Sequence, residues 1–350
     1  MIPLAKDFDR LPAYPLGLDA GQRERVDRLL AGVVVSLHDH PVRLPEPMTA
    51  QSWSEHTRDG TERIGHTGLG RSGLDVVLAS SLAEPDQNRL LRWAGRLRAE
   101  ADSVTTGPRI VLALEDLGSI GTDLDGVQAL YDAGFRSAGL TYNAGNPLGG
   151  GLGQPSDGGL TSIGREAVAV MNQLGMLVDL AHVGDRTSID AAEVSGRPVV
   201  ISHAGARARW PSPRMKPDDV LRAVAATGGV IGVEAAPGST RVNGRPAHDL
   251  DAVMTHVEYI AELVGVDHVG LGPDTFFGDH TGLYAAAGWT SQPVPGHEGL
   301  PLPEYVAGME NPAEVPRNAA GWLVRNGWTD DDIAKILGGN AERVLDAVFR

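Results

Sequence analysis

A short run of β-branched and aliphatic residues, followed by a longer amphipathic segment, recurs eight times along the chain. Each apolar run is four to eight residues long, which is typical of a strand that is buried on both faces of a parallel sheet. The predicted strands are residues 32–38, 74–80, 109–115, 136–141, 177–181, 198–202, 229–234 and 267–272.

The segments between these strands have helical periodicity. In residues 85–101, for example, Leu90, Ala94 and Leu97 fall on one face of a helix. Similar patterns predict helices at residues 120–133, 162–174, 217–226 and 252–263, and two more at 330–337 and 340–349. Eight strands alternating with helices favour a closed (β/α)₈ TIM barrel over an open sheet, which usually has five or six strands.

The barrel pattern is not interrupted by a linker, so we expect a single domain over residues 1–350. Residues 1–31 form an N-terminal extension and helix in this interpretation, and residues 319–350 form C-terminal helices packed on the barrel. The longest irregular stretches, residues 41–73, 143–159 and 275–316, follow predicted strands one, four and eight. They are therefore expected on the carboxyl face, where barrel enzymes build their active sites.

Composition narrows the class of protein. The chain is 42% hydrophobic and 21% charged, enough apolar residues for a large core. Its net charge of −15 argues against binding to nucleic acid or to an anionic membrane, both of which require clustered Lys and Arg. There is no cysteine, which excludes disulfides and thiolate metal sites, and the N-terminus has no apolar signal segment. We therefore expect a soluble cytoplasmic protein.

Six ionisable residues stand at the carboxyl ends of five predicted strands. These residues are His38, His40, Glu115, His182, His203 and Asp274. A lone histidine at a strand end is usually structural, but a barrel directs all six positions to one mouth. Four imidazoles and two carboxylates predict a site for two divalent ions with Glu115 between them. This donor set favours Zn²⁺, with Mn²⁺, Co²⁺ or Fe²⁺ as alternatives.

The remaining histidines are expected to face solvent, although His66 and His280 lie on carboxyl-face loops from which they can approach a substrate.

The order of these motifs resembles the membrane (renal) dipeptidase family of zinc metallopeptidases in the amidohydrolase superfamily. The most specific segments are residues 178–183 (VDLAHV), 198–204 (PVVISHA) and 268–274 (HVGLGPD). The resemblance implies a barrel with two zinc ions that hydrolyses dipeptides with a metal-bridging hydroxide, and it implies a homodimer.

By position, the resemblance implies a role for each candidate residue. His38 and His40 bind one ion, Glu115 bridges, and His182 with His203 binds the other. Asp274 holds and deprotonates the bridging water. Arg214 binds the substrate carboxylate through its two-pronged guanidinium.

Several positions depart from the family pattern. His40 replaces the usual Asp, and Tyr142 replaces a histidine that stabilises the oxyanion, a role for which the Tyr142 hydroxyl can donate a hydrogen bond. Met215 replaces an Asn after Arg214. Glu234 ends strand seven, where it either recognises a substrate ammonium or forms a structural ion pair.

Three functions follow from the sequence. The first is a zinc-dependent dipeptidase-like amidohydrolase acting on a small amide or dipeptide. The second is the same metal centre acting on a cyclic or natural-product amide, which the altered pocket residues motivate. The third is a catalytically inactive barrel with a binding role.

Overall fold

Eight parallel strands close into a barrel in chain order, each paired with its sequence neighbours and β8 paired with β1. The computed structural model describes residues 2–82, 84–289, 294–297 and 299–349. The strands are β1 (Val35–Asp39), β2 (Val76–Ser81), β3 (Arg109–Leu114), β4 (Phe135–Gly139), β5 (Leu177–Asp179), β6 (Val200–Ala204), β7 (Val230–Val233) and β8 (Val269–Leu271). This architecture confirms the predicted (β/α)₈ barrel.

Helices connect the strands and extend beyond the last one. They are α1 (Ala20–Leu29), α2 (Ala50–Asp59), α3 (His66–Ser72), α4 (Gln87–Asp102), α5 (Asp125–Asp132), α6 (Ser162–Leu174), α7 (Asp185–Val194), α8 (Asp218–Ala226), α9 (Leu250–Val264), α10 (His280–Ala287), α11 (Val315–Arg325), α12 (Asp330–Ala334) and α13 (Asn340–Val348). In the part of the chain that the structure describes, no helix is both long and apolar enough to cross a lipid bilayer.

Two predictions about helices are wrong in detail. The helix expected at residues 120–133 is divided into a 3₁₀ turn (Leu117–Ile120) and α5, because Gly121 between them takes a φ of +58°. The stretches expected to be irregular contain α2, α3 and α10. α2 fully buries only His56, so its apolar periodicity is too weak to reveal a helix.

The C-terminal helix packs against the apolar interior of the barrel. Val344, Leu345 and Val348 of α13 belong to the same buried cluster as Val35 of β1 and Val200 of β6. Between α12 and α13, residues Lys335–Gly339 form a π-helical turn, so the chain bends without leaving the helix. The terminal helix therefore packs against parts of the strands that are distant from the ionisable residues at their carboxyl ends.

A glycine directly after β8 permits a close approach that positions one side of the site. A Cβ built on Gly272, directly after β8, would lie 1.8 Å from the carbonyl oxygen of Ser202 in β6. No side chain fits that separation, so only glycine lets the chain pass this carbonyl. The chain after β8 can therefore bring Asp274 towards His203, which follows Ser202.

Candidate active site

Four histidine rings meet at the carboxyl end of the barrel. His38 and His40 come from β1 and the residue after it, with 3.4 Å between their Nε2 atoms. His182 follows β5, and its Nε2 lies 3.0 Å from Nε2 of His203 in β6. The His38 and His203 rings stack with centroids 3.6 Å apart, which joins the two pairs. All four side chains are buried.

The two carboxylates lie among these rings. Glu115, directly after β3, places Oε1 3.3 Å from His40 Nε2 and Oε2 3.4 Å from His182 Nε2. It thus spans the two histidine pairs. Asp274 Oδ1 lies 3.3 Å from His40 Nε2 and 3.5 Å from His38 Nε2. The structure therefore brings together all six residues that the sequence predicts as metal ligands.

Asp274 takes a backbone conformation that side-chain-bearing residues rarely adopt. Its φ is +57°, in the left-handed region. Aspartate tolerates this region better than most residues, although at some cost in free energy. The backbone N–H of Asp274 donates to the His38 carbonyl, and that of Thr275 donates to Asp39 Oδ1. These bonds to β1 hold the turn that aims the Asp274 carboxylate at the histidines.

Three of the four imidazoles are oriented through their other ring nitrogen. His40 Nδ1 donates to the carbonyl of Ser80 in β2 at 2.9 Å, and His182 Nδ1 donates to Asn143 Oδ1 at 3.0 Å. His203 Nδ1 donates to Ser202 Oγ at 2.7 Å, and that hydroxyl donates to Asp179 in β5. A proton on Nδ1 leaves the Nε2 lone pair free to bind a metal.

Burial favours the neutral, metal-binding form of two of the four imidazoles, whereas neighbouring carboxylates favour a proton on His40 that a bound ion would have to displace. Burial holds the pKa values of His182 and His203 well below the usual range, and the positive charge of Arg214 acts in the same direction. Burial disfavours charge on His40 too, but the carboxylates of Asp274 and Glu115 raise its pKa to about 10. Although burial disfavours charge on Asp274 as well, hydrogen bonds from His38 and His40 hold its pKa well below the usual range.

The donor set fits divalent metal ions. Three groups of three side chains bring ligand atoms within 4.8 Å of one another: His38 with Glu115 and His203, His38 with His40 and Asp274, and His203 with Glu234 and Asp274. Among the described residues, Glu115 Oε1 has no hydrogen-bond partner although it is buried. A buried carboxylate oxygen without a donor is costly unless a cation balances it.

A cavity of about 770 Å³ opens beside these ligands. Tyr142 lines it with its ring stacked on His182, the two centroids 4.1 Å apart. Burial raises the pKa of the Tyr142 hydroxyl well above 10, and the charge of Glu115 adds to the shift. The hydroxyl therefore stays protonated and able to donate a hydrogen bond at neutral pH.

Arg214 and Glu234 lie side by side in the same cavity. Arg214 Nη2 is 2.5 Å from Glu234 Oε2, and both side chains are largely buried. Of the two roles that the sequence leaves open for Glu234, the structure contains the ion pair. The guanidinium also donates to two backbone carbonyls, those of Ala181 and His203.

Several residues of the site have little or no signal in the sequence. Asn143, Ser202 and Asp179 orient histidines of the site, and although all three lie in segments that resemble the family, none was predicted to do so. Tyr284 of α10, which had no such signal, lines the cavity, and so does His280, which the sequence placed on a loop that can approach a substrate. His66, the other loop histidine expected near substrate, instead places Nε2 4.0 Å from Glu100 Oε1.

Comparisons with known proteins agree with the fold. An amidohydrolase from Pseudomonas aeruginosa superposes with a TM-score of 0.76 at 21% identity, over 93% of this chain and 99% of that one. A metallopeptidase from Rhodobacter sphaeroides, liganded with a phosphinate mimic of the dipeptide L-Ala-D-Ala, superposes with a TM-score of 0.68 at 20% identity, over 90% and 99%. At these identities the likeness concerns the fold.

Sequence comparisons identify the family. The dipeptidase aclJ of Aspergillus oryzae is 31% identical over 275 residues, which are 78% of this chain and 56% of that protein. The chain thus spans little more than half the length of this curated relative. The family model described as membrane dipeptidase, peptidase family M19, matches residues 39–284, over two thirds of the chain. This match confirms the resemblance seen in the motifs: the chain belongs to the membrane dipeptidase family.

Proposed function

We propose that the protein is a metal-dependent dipeptidase that hydrolyses the peptide bond of a dipeptide-sized substrate. The observation behind this proposal is the convergence of four histidine Nε2 atoms and two carboxylates beside a cavity of about 770 Å³. An inactive barrel has no physical need to bury six ionisable groups together, because burying them costs free energy.

The proposed ligands are His38, His40, Glu115, His182, His203 and Asp274, with Glu115 shared between two ions. Imidazole and carboxylate donors without sulfur favour zinc. Divalent ions bound there would supply Lewis acidity and would lower the pKa of a coordinated water molecule. The position of Glu115 between His40 and His182 supports a two-ion arrangement.

Three side chains have proposed roles in moving charge and protons. Asp274, an ionised carboxylate at the centre of the site, takes the proton of the attacking water and delivers it to the leaving nitrogen. Tyr142 donates its hydroxyl hydrogen to the oxygen of the scissile carbonyl as negative charge develops there. Arg214 and Glu234 contact the substrate away from the scissile bond. The cytoplasmic location and the homodimer expected from the sequence stay predictions.

Metal analysis tests the centre directly. The reconstituted protein should hold about two ions per chain, and His182→Ala or His203→Ala should lower that content and abolish hydrolysis. His268→Ala is a matched control, because His268 precedes β8 at the other end of the barrel and donates to the Gly229 carbonyl. Metal content near zero after reconstitution near neutral pH would eliminate the proposal.

Substrate screening separates the dipeptidase from the nearer alternative. L,L- and L,D-dipeptides should be hydrolysed, and a chelator should remove the activity. Chelator-sensitive cleavage of N-acylated or cyclic amides, without cleavage of any dipeptide, would instead favour the same centre acting on a different amide.

A further inference from the structure

A second cavity, of about 390 Å³, adjoins the active-site cavity and is lined by side chains of α2 and α4. The two cavities share four lining residues, which are His40, Leu82, Phe276 and Trp289. Trp289 is 42% exposed, so both cavities reach the surface beside its indole ring. The hydrolysis proposed above does not use the side chains that α2 and α4 contribute to the second cavity.

Positive charge is concentrated around this second cavity. Its charged lining consists of four arginines and three acidic residues: Arg58, Arg89, Arg92, Arg96, Asp59, Glu62 and Glu84. The whole chain has the opposite balance, with 30 Lys and Arg against 45 Asp and Glu. A cavity in which arginines outnumber acidic groups attracts anions, even on a protein whose net charge is negative.

Arg92 is the arginine that is available to a ligand. It lies on one face of α4 with Arg89 and Arg96, because the three are separated by three and four residues. Arg89 Nε is 3.1 Å from Glu84 Oε2, and Arg96 Nη2 is 3.4 Å from Glu62 Oε2. Arg92 has no hydrogen bond or ion pair with any residue that the structure describes. Its N–H donors can therefore hold a carboxylate through a two-pronged contact.

Indole rings form the apolar part of the same cavity. Trp53 of α2 and Trp93 of α4 line it, and both rings are only partly buried. Trp53 packs against a small apolar cluster that includes Leu44 and Phe276, which holds the ring in place beside the cavity. A fixed indole can stack on a flat apolar ligand, and a neighbouring guanidinium can add to that contact.

An aromatic carboxylate matches both parts of this lining. Its carboxylate can accept from Arg92, and its ring can stack on Trp53 or Trp93. An inorganic anion would leave the indole rings without a partner, and an amine would be repelled by the arginines. The cavity volume is near the lower end of the range of about 300–1,000 Å³ that is typical of ligand pockets, so it suits one ring with a short chain.

We propose that the cavity between α2 and α4 is a binding site for an aromatic carboxylate. Arg92 holds the carboxylate in this site, and Trp53 and Trp93 hold the ring. Because the cavity adjoins the active site, this group comes either from the side chain of a substrate or from a separate small molecule. The site goes beyond the hydrolase function proposed above and does not depend on it.

Calorimetry with phenylbutyrate tests the site on the metal-loaded, full-length protein. Phenylbutyrate should bind with a Kd in the millimolar range or below. Phenylbutanol, which has the same ring and chain without the charge, should bind at least about fivefold more weakly. Arg92→Gln should weaken the binding of phenylbutyrate by about fivefold or more and leave that of phenylbutanol unchanged. Trp53→Leu should weaken both compounds, because it removes a ring contact and keeps the guanidinium.

Arg222→Gln is the matched control. Arg222 is another exposed arginine on a barrel helix, α8, and it lines neither cavity. This variant should bind phenylbutyrate with the native Kd. A carboxylate that binds at the metal centre instead would respond to neither arginine substitution.

Two phosphinate dipeptide analogues distinguish the sources of the group. The side chain of one ends in a phenyl ring, and that of the other ends in a carboxyphenyl ring. If the group belongs to a substrate, the carboxyphenyl analogue binds more tightly, displaces phenylbutyrate and loses its advantage in Arg92→Gln. If it belongs to a separate molecule, the analogues bind equally and phenylbutyrate binds beside them. Either result supports the site.

Three results would overturn the proposal: no binding of phenylbutyrate in the millimolar range, equal binding of phenylbutyrate and phenylbutanol, or an unchanged Kd for phenylbutyrate in Arg92→Gln. If phenylbutyrate binds as expected but no dipeptide is cleaved, the dipeptidase proposal fails and the aromatic carboxylate site stands.

Discussion

Replacing Ser202 by Ala should weaken metal binding without disturbing the residues that hold Asp179 in place. The Ser202 hydroxyl accepts the Nδ1 proton of His203 and donates its own proton to Asp179. In the variant, Asp179 Oδ1 keeps its two backbone donors, the N–H groups of Ser202 at 2.8 Å and Ala181 at 3.0 Å. The substitution therefore mainly affects the orientation and the tautomer of the His203 ring.

The size of the effect follows from this geometry. Without an acceptor at Nδ1, His203 can place its proton on Nε2, where it blocks the lone pair that would bind the ion. Removing a partner that orients a metal-binding histidine typically lowers metal affinity by about 10- to 100-fold, or about 1.4–2.7 kcal/mol. Losing the buried hydrogen bonds should also cost about 1–3 kcal/mol of folding stability.

The assay is a competition for zinc between the protein and a chromophoric chelator near pH 7, with urea unfolding measured in parallel. Ser72→Ala is the matched control, because the Ser72 hydroxyl is also buried and makes two hydrogen bonds, with Leu69 O and Leu74 N, just before β2. It should lose stability but keep native zinc affinity. Native affinity in Ser202→Ala, or an equal loss in both variants, would refute the assignment of Ser202 as a positioning residue.

Two further predictions concern other groups. Tyr142→Phe should lower kcat by about 100-fold or more, with little change in KM or metal content, because it removes a hydrogen-bond donor to the developing oxyanion. Tyr284 is a second phenol that lines the cavity. An effect of the same size in Tyr284→Phe would contradict the role of Tyr142. Burial raises the pKa of the Glu310 carboxyl from 4.5 to about 8 despite the charge of Arg10. The stability contributed by protonated Glu310 is therefore fully present below about pH 4.5 and is lost as the pH rises to about 8. The loss is at most about 1.4 kcal/mol per pH unit. Urea unfolding at pH 5 and pH 8 should show this loss in the native protein and not in Glu310→Gln, and equal pH dependence in the two would refute it.

The positions of the strands and of the ionisable residues that meet at the site could be predicted because both leave a local pattern. A strand buried on both faces needs an unbroken apolar run. A histidine at the end of such a run is easily recognised in the sequence, and His203 is an example. Strand limits are less certain because side chains can end pairing early. β5 ends at Asp179, not at Ala181 as predicted, since the Asp179 carboxylate accepts the N–H groups of Ala181 and Ser202 and ends the regular strand there.

The partners of the site residues could not be predicted, because they depend on distances between segments far apart in the chain. The acceptor for His40 is the backbone carbonyl of Ser80, and a carbonyl has no sequence signature. Arg214 and Glu234 are twenty residues apart, and the sequence is equally compatible with a free guanidinium that binds substrate and with one that is paired internally. The barrel places β6 beside β7, and this brings Arg214 and Glu234 together as an internal pair.

The orienting bonds also explain why this site exists only in the closed barrel. His40 is oriented by β2, His182 by the segment after β4, and His203 through Ser202 by the last residue of β5. Each of these three imidazoles thus depends on a neighbouring strand or loop for its tautomer, and its own strand supplies only its position. Closure of the sheet aligns the lone pairs and excludes water in the same step, so the free energy of metal binding is linked to the free energy of folding.

Arg214 depends on neighbouring segments in the same way. Its guanidinium donates to the carbonyl of Ala181, which directly precedes His182, and to the carbonyl of His203. His182 and His203 are both proposed metal ligands. The proposed substrate-binding arginine and the histidine cluster are therefore held by one hydrogen-bonded frame, so we expect a change in one to alter the geometry of the other.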